Sequence, residues 1–164
     1  MLIGIIADTH DNLPMVKKAV KLFSQQSVGL VIHAGDYVAP FTIRELENLH
    51  CKVMGVFGNN DGEKLGLRKA FEKIGEIFEG LCHFELKEKK FAVTHSPEIA
   101  EPLWKSACYD IVVYGHTHQV EFRREKSLII NPGECGGWLT GRCTVALLDL
   151  ESMEVRIHDL SSES

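Results

Sequence analysis

Apolar residues recur along this chain first with a strand period and then with a helix period, and the two alternate. Leu2–Ile6 is a short apolar, β-branched run and reads as a first strand. Asn12–Pro14 opens a helix, with Pro14 suited to its first turn. Val16, Ala19, Val20, Leu22 and Phe23 give that helix an apolar stripe at i, i+3, i+4 spacing. The same reading predicts a second strand at Leu30–His33, a second helix at Pro40–Leu49, a third strand at Val53–Phe57 and a third helix at Leu65–Ile74. Strand–helix alternation of this kind implies right-handed crossovers and a largely parallel sheet.

The pattern then changes. Leu81–Leu86 and Lys89–Thr94 read as strands joined by a short charged turn, followed by a helix at Ile99–Ala107 and a strand at Ile111–Tyr114. Val120–Arg124 with Ser127–Asn131, and Thr144–Leu150 with Glu154–Asp159, read as two hairpins, the second turning around Ser152. A short polar tail follows at Ser161–Ser164. The prediction is an α/β chain with two sheets packed face to face and helices outside, its second half more antiparallel.

Composition narrows this picture. With 164 residues the chain fits one domain, and it can bury roughly two-thirds of its unfolded surface, so no metal or disulfide is needed simply to fold. The net charge of -5 gives no electrostatic case for duplex nucleic acid. A phosphorylated substrate stays open, because bound cations reverse a local field. The five cysteines form no C-x-x-C pair and are odd in number, which argues against a disulfide framework and a thiolate zinc site and for inert thiols in a reducing compartment. The opening run has no basic segment before it and ends in acid after a few residues, unlike a signal peptide or membrane span. A cytoplasmic location is expected.

The informative feature is where polar residues fall relative to the strands. Strand one runs into Asp8-Thr9-His10, strand two into His33-Ala34-Gly35-Asp36, and strand three into Gly58-Asn59-Asn60-Asp61. The strand at 89–94 runs into His95, and the strand at 111–114 into Gly115-His116-Thr117-His118. Ligands of open α/β sheets gather outside the carboxyl ends of the strands, so clusters far apart in sequence can meet there. Carboxylates, an amide oxygen and imidazoles suit Mn, Fe, Co, Ni or Zn and carry too much nitrogen for Ca. On extended backbone, Asp8 and His10 would project to one face, as would His116 and His118. Glycines at 35, 58 and 115 would allow sharp turns or close approach to a ligand.

In this order, Asp8-x-His10, Gly35-Asp36, Gly58-Asn59-Asn60-Asp61, His95 and Gly115-His116-Thr117-His118 resemble the signature of the calcineurin-like metallophosphoesterases. The chain is similar to the short branch of that family, the phosphodiesterases of the YfcE type. The resemblance implies a four-layer αββα sandwich. It implies one metal held by Asp8, His10 and His118, a second held by Asn59, His95 and His116, and Asp36 bridging the two. Two cations about 3.5–4 Å apart would clamp the phosphoryl oxygens and the attacking oxygen. A bridging water, its pKa lowered from about 15.7 toward neutrality, would supply hydroxide near pH 7.

One position departs from the family pattern. Many relatives carry His after the Gly-Asn of the third motif, where it protonates the leaving group; here that place is Asn60. An amide donates a hydrogen bond but is no general acid, so a slow enzyme that prefers activated aryl diesters is expected. Asn60 is thus a candidate for both catalysis and substrate binding. Asn12 is read first as a helix cap and otherwise as a phosphate contact, and Thr117 as a phosphate donor or a residue that shapes its turn. His33 is expected to pack beneath the site and Asp61 to anchor its loop or orient Asn60. His50, His83 and His158 are read as surface residues, the charged stretches 87–90 and 123–126 as solvated hairpin tips, and Trp104 and Trp138 as core or edge packing. The Gly-rich segment 131–137 is read as a connecting loop that could border the site. The expected partner is a small phosphodiester, with a homo-oligomer open. The competing readings are a catalytically weak interaction scaffold, as in the retromer subunit that resembles this branch, and a phosphomonoesterase or nucleotide pyrophosphatase.

Overall fold

The computed structural model describes residues 1–162, so residues 163–164 of the polar tail lie outside the described part. Eleven strands and four helices follow one another as β1 (Leu2–Ile6), α1 (Leu13–Gln25), β2 (Leu30–His33), α2 (Phe41–Leu46), β3 (Lys52–Val56), α3 (Lys64–Phe71), β4 (Gly75–Phe78), β5 (Leu81–Leu86), β6 (Lys89–Thr94), α4 (Pro97–Ser106), β7 (Ile111–Val113), β8 (Val120–Arg124), β9 (Leu128–Pro132), β10 (Thr144–Asp149) and β11 (Val155–Asp159). They form a six-stranded sheet in the order β11-β10-β1-β2-β3-β4 and a five-stranded sheet in the order β5-β6-β7-β9-β8.

Side-chain alternation along the strands builds the layers. Ile3 and Ile5 of β1, Leu30 and Ile32 of β2, and Ala146 and Leu148 of β10 point into an inter-sheet core with Phe91, Val93, Ile111, Val113, Leu128 and Ile130 of the other sheet. The opposite face of the first sheet packs on α1–α3, where Val16, Ala19, Val20 and Phe23 cover Val31, Val53, Val145 and Leu147. The opposite face of the second sheet packs Ala92, Val112 and Ile129 on Ala100 and Trp104 of α4. The result is the expected αββα sandwich.

Both sheets are mixed. β1, β2, β3 and β4 run parallel, as do β6, β7 and β9; the antiparallel partners are β10 and β11 in one sheet and β5 and β8 in the other. The hairpin β10–β11 therefore does not extend the second sheet but completes the first, beside β1. Three local readings differ. The sequence reading assigns no element between Ile74 and Leu81, where Gly75–Phe78 forms β4, a strand with a single buried residue. Arg123 is not a solvated tip: its guanidinium lies 4.3 Å over the Trp104 ring and pairs with Glu101. His158 is half-buried rather than surface, with an unpartnered Nε2. No helix among the described residues is long and apolar enough to cross a membrane.

Candidate metal centre

The carboxyl ends of the parallel strands of both sheets open at one edge of the sandwich, and the backbone there is cross-linked loop to loop. Asp8 N donates to Gly35 O (3.0 Å), His10 N to Asp36 O (3.1 Å), Cys135 N to Ala7 O (2.9 Å) and Gly136 N to Asp8 O (2.9 Å). These bonds bring the loops after β1, β2 and β9 side by side. The side chains then converge for a reason other than strand alternation. Asp8, His10, Asp36, His116 and His118 all have φ between 42° and 71°, in the left-handed region that non-glycine residues rarely occupy. The extended-backbone argument for Asp8–His10 and His116–His118 is thus wrong in its geometry, and His116 and His118 face different halves of the site. Glycine is required where the loops meet. A Cβ on Gly58 would lie 2.1 Å from Asp36 Oδ1, and Gly35 combines φ +96° with a virtual Cβ 2.7 Å from His95 Nδ1.

In the first half, Asp8, His10, Asp36 and His118 each present a donor atom, and these atoms lie within 4.8 Å of one another. His10 Nε2 is 3.5 Å from Asp36 Oδ2 and 4.0 Å from Asp8 Oδ1, and is buried without a hydrogen-bond partner. His118 Nε2 lies 3.6 Å from Asp8 Oδ1, while His118 Nδ1 donates to Glu134 Oε2 at 2.9 Å. That bond leaves the Nε2 lone pair toward the centre. Burial pushes the Asp8 carboxyl up to about 7, although the nearby His95 and His118 oppose this. Burial likewise lowers His10, against the pull of Asp36.

In the second half, His95 Nδ1 must donate to the Ala34 carbonyl, at 2.8 Å, so Nε2 faces inward. Asn59 Oδ1 lies 2.9 Å from both His95 Nε2 and His116 Nδ1. With its Nδ1 donating to Ala34, His95 Nε2 faces the Asn59 oxygen lone pair to lone pair, which is repulsive unless a proton or a cation lies between them. Burial lowers the His95 imidazole, but the Asp36 carboxylate, 3.4 Å away, outweighs it and raises the pKa. Asp36 itself is raised by burial but held well below the usual range by His95 and by Asn60 N (2.8 Å to Oδ1) and Nδ2 (2.8 Å to Oδ2). An orphaned imidazole nitrogen, opposed acceptors and a carboxylate between them are what a divalent cation pair would satisfy.

All seven sequence-predicted ligands therefore meet at one edge. Of the other predicted residues, Asn60 lines the site but turns its amide onto Asp36. Asn12 does not cap α1; its Nδ2 donates to Gly136 O at 2.7 Å and ties down the Gly-rich loop. Thr117 Oγ1 accepts from Asn131 Nδ2 (3.0 Å) and Gln119 N (3.4 Å), so its hydroxyl shapes the turn. Asp61 anchors two loops by accepting from Asp36 N, Gly58 N and Val38 N. His33 packs beneath, stacked on Tyr37 at 3.7 Å and bonded to Thr9 Oγ1.

Two residues stand at the site in roles that the sequence reading does not assign them. Glu134 is fully buried, accepts from Leu139 N and Thr140 N, and grips His118. Burial alone would raise its pKa, but the bonds from Thr140 and His118 outweigh it and hold the carboxyl below the usual range. The strand-end rule, applied to the strand read at 127–131, would find it. Trp138 is not packing: it is 65% exposed at the rim, its Nε1 donating to His10 O at 3.2 Å.

A profile of the calcineurin-like phosphoesterase superfamily domain matches residues 1–153. The chain belongs to this superfamily. It is 44% identical to a phosphodiesterase of Methanocaldococcus jannaschii over 161 residues, covering 95% of this chain and 97% of the relative. A solved structure of an archaeal phosphodiesterase superposes with a TM-score of 0.92 at 42% identity, covering 97% of this chain and 99% of the other. YfcE, a phosphoesterase from E. coli, shares the fold with a TM-score of 0.68 at 20% identity, over 98% of this chain and 100% of its own.

Proposed function

We propose that this superfamily member is a metal-dependent phosphodiesterase of the YfcE type, a single cytoplasmic domain spanning residues 1–164. The observation that carries the reading is the convergence of seven Asp, Asn and His side chains at the meeting edge of two sheets, five of them on left-handed backbone. Strain of this kind persists only where the surroundings over-determine it, and it gathers at functional sites. The archaeal phosphodiesterase likeness over nearly the whole chain supports the reaction class.

Asp8, His10 and His118 would hold one ion and Asn59, His95 and His116 the other, with Asp36 shared. The donor set suits Mn, Ni, Co, Fe or Zn. When bound, such ions neutralise phosphoryl oxygens and acidify the attacking water. The chain's own residues do the rest. Glu134 and the Ala34 carbonyl orient His118 and His95, and the Asn60 backbone and amide nitrogens hold Asp36 in place. Asn60 offers only a hydrogen bond to a leaving group. Asn60→His should therefore raise turnover of poorly activated diesters by about 10²-fold, the lower end of general-acid assistance. No gain on any diester removes that role.

The direct test is turnover of bis-aryl and mono-aryl phosphates after chelation and after add-back of Mn, Ni, Co, Fe, Mg or Zn. Hydrolysis of the diester alone is expected. Preference for the monoester would reassign the chain to phosphomonoester chemistry, and no turnover with any ion would make it a scaffold.

A further inference from the structure

The candidate centre is flanked by a cavity of about 410 Å³ walled by His10, His118, Val38, Asn60, Trp138 and Leu139. That volume falls in the range of small-molecule pockets. Its outer wall is unusual for a soluble chain: Trp138 is 65% exposed and Leu139 76% exposed, side by side. Neither is loose. The indole N–H of Trp138 donates to the His10 carbonyl, so its one polar atom is engaged and its ring is held with apolar surface open. Leu139 N and Thr140 N donate to Glu134, the same buried carboxylate that grips His118. Wall and centre thus share one brace. On the other side of the centre lies a smaller cavity of about 230 Å³ at Phe57, Asn59, His95, Ile99 and His116, whose Phe57 ring is buried, so it presents no exposed Phe, Tyr or Trp ring.

We infer that Trp138 is a stacking platform for a flat aromatic group on one arm of the phosphodiester, a nucleobase being the chemical class that fits. The inference rests on the proposed phosphodiesterase reading. What covers the ring follows from the cavity's other wall: two imidazoles of the centre line it, so its occupant is the group esterified to the phosphoryl unit bound there. Face-on stacking on an aromatic side chain accepts any base, which predicts preference for a ring over none and little preference among rings.

The test compares two diesters with the same nitrophenyl leaving group, one carrying a nucleoside and the other a methyl group on the retained arm. Wild-type protein loaded with Mn should show a lower KM for the nucleoside diester. Trp138→Ala should raise that KM about 10-fold relative to the methyl diester, within the range that loss of one base–aromatic stack produces, and Trp138→Phe should recover most of it. A readout independent of turnover is tryptophan fluorescence of the metal-free protein titrated with a nucleoside monophosphate or with ribose 5-phosphate. Trp104 is 5% exposed, so the quench belongs to Trp138, and only the nucleotide should produce it. Turnover with equal KM for both diesters overturns the platform and leaves the phosphodiesterase reading intact. Nucleotide quenching without diester turnover supports the platform and removes the reaction. Quenching that persists in Trp138→Phe overturns the platform whatever the turnover.

Discussion

The two halves of the candidate centre use similar donors and are built differently. The half at Asp8, His10 and His118 is largely buried, rests on three left-handed residues and is braced by Glu134. The half at Asn59, His95 and His116 places Asn59 and His116 at the surface and has only His95 buried, oriented by a backbone carbonyl. The donor cluster of the first half contains two carboxylates, Asp8 and Asp36, whereas the second half has Asp36 3.4 Å from His95 and otherwise an amide and two imidazoles. A buried, charged and pre-oriented donor set loses less order on binding than an exposed neutral one. The first half should therefore hold its cation more tightly and the second should exchange it.

The largest expected effect comes from removing what the halves share. Asp36→Ala should lower diesterase kcat/KM by about 10³-fold or more, since several kcal/mol of charge stabilisation corresponds to that many decades, and calorimetry should find both cations weakened. Loss of only one binding event would show that Asp36 belongs to one half.

Next is pH in the metal-free protein. Burial raises Asp8 from 3.8 to about 7, so the folded chain binds that proton more tightly than the unfolded one. The stabilisation is fully present below the unfolded value and is lost as pH rises through about 7. Wild type should therefore lose a few kcal/mol relative to Asp8→Asn between roughly pH 4 and 8, because each tenfold change in proton affinity between the folded and unfolded chain is worth about 1.4 kcal/mol. Parallel urea-unfolding curves of the two proteins across that range would contradict the burial of the first half.

The smallest effect separates the halves directly. Glu134→Gln keeps the shape but weakens the grip on His118, and should cost the tighter cation about 10–100-fold in affinity. His116→Ala should weaken only the exchangeable one. If Glu134→Gln weakens the looser cation instead, the asymmetry is inverted.

Sequence alone determined the residue types and their local frames. Alternating apolar strands with an amphipathic α1 are written in periodicity, which depends on nearest neighbours; polar clusters just past five strand ends follow from it as candidates for one site, and the family resemblance singles out seven residues among them. Tertiary structure decided the rest. β4, Gly75–Phe78, is a strand because it pairs with β3, not because of its own composition. β10 joins β1 rather than the second sheet through pairing across more than a hundred residues. Glu134 and Trp138 matter because Cys135 and Gly136 bond to the chain at Ala7 and Asp8, which brings a distant Gly-rich loop against the centre. The left-handed turns are likewise tied by bonds between loops: Asp8 N and His10 N donate to Gly35 O and Asp36 O, Asp36 N to Asp61 and His116 N to Asp8, contacts no short stretch of sequence contains.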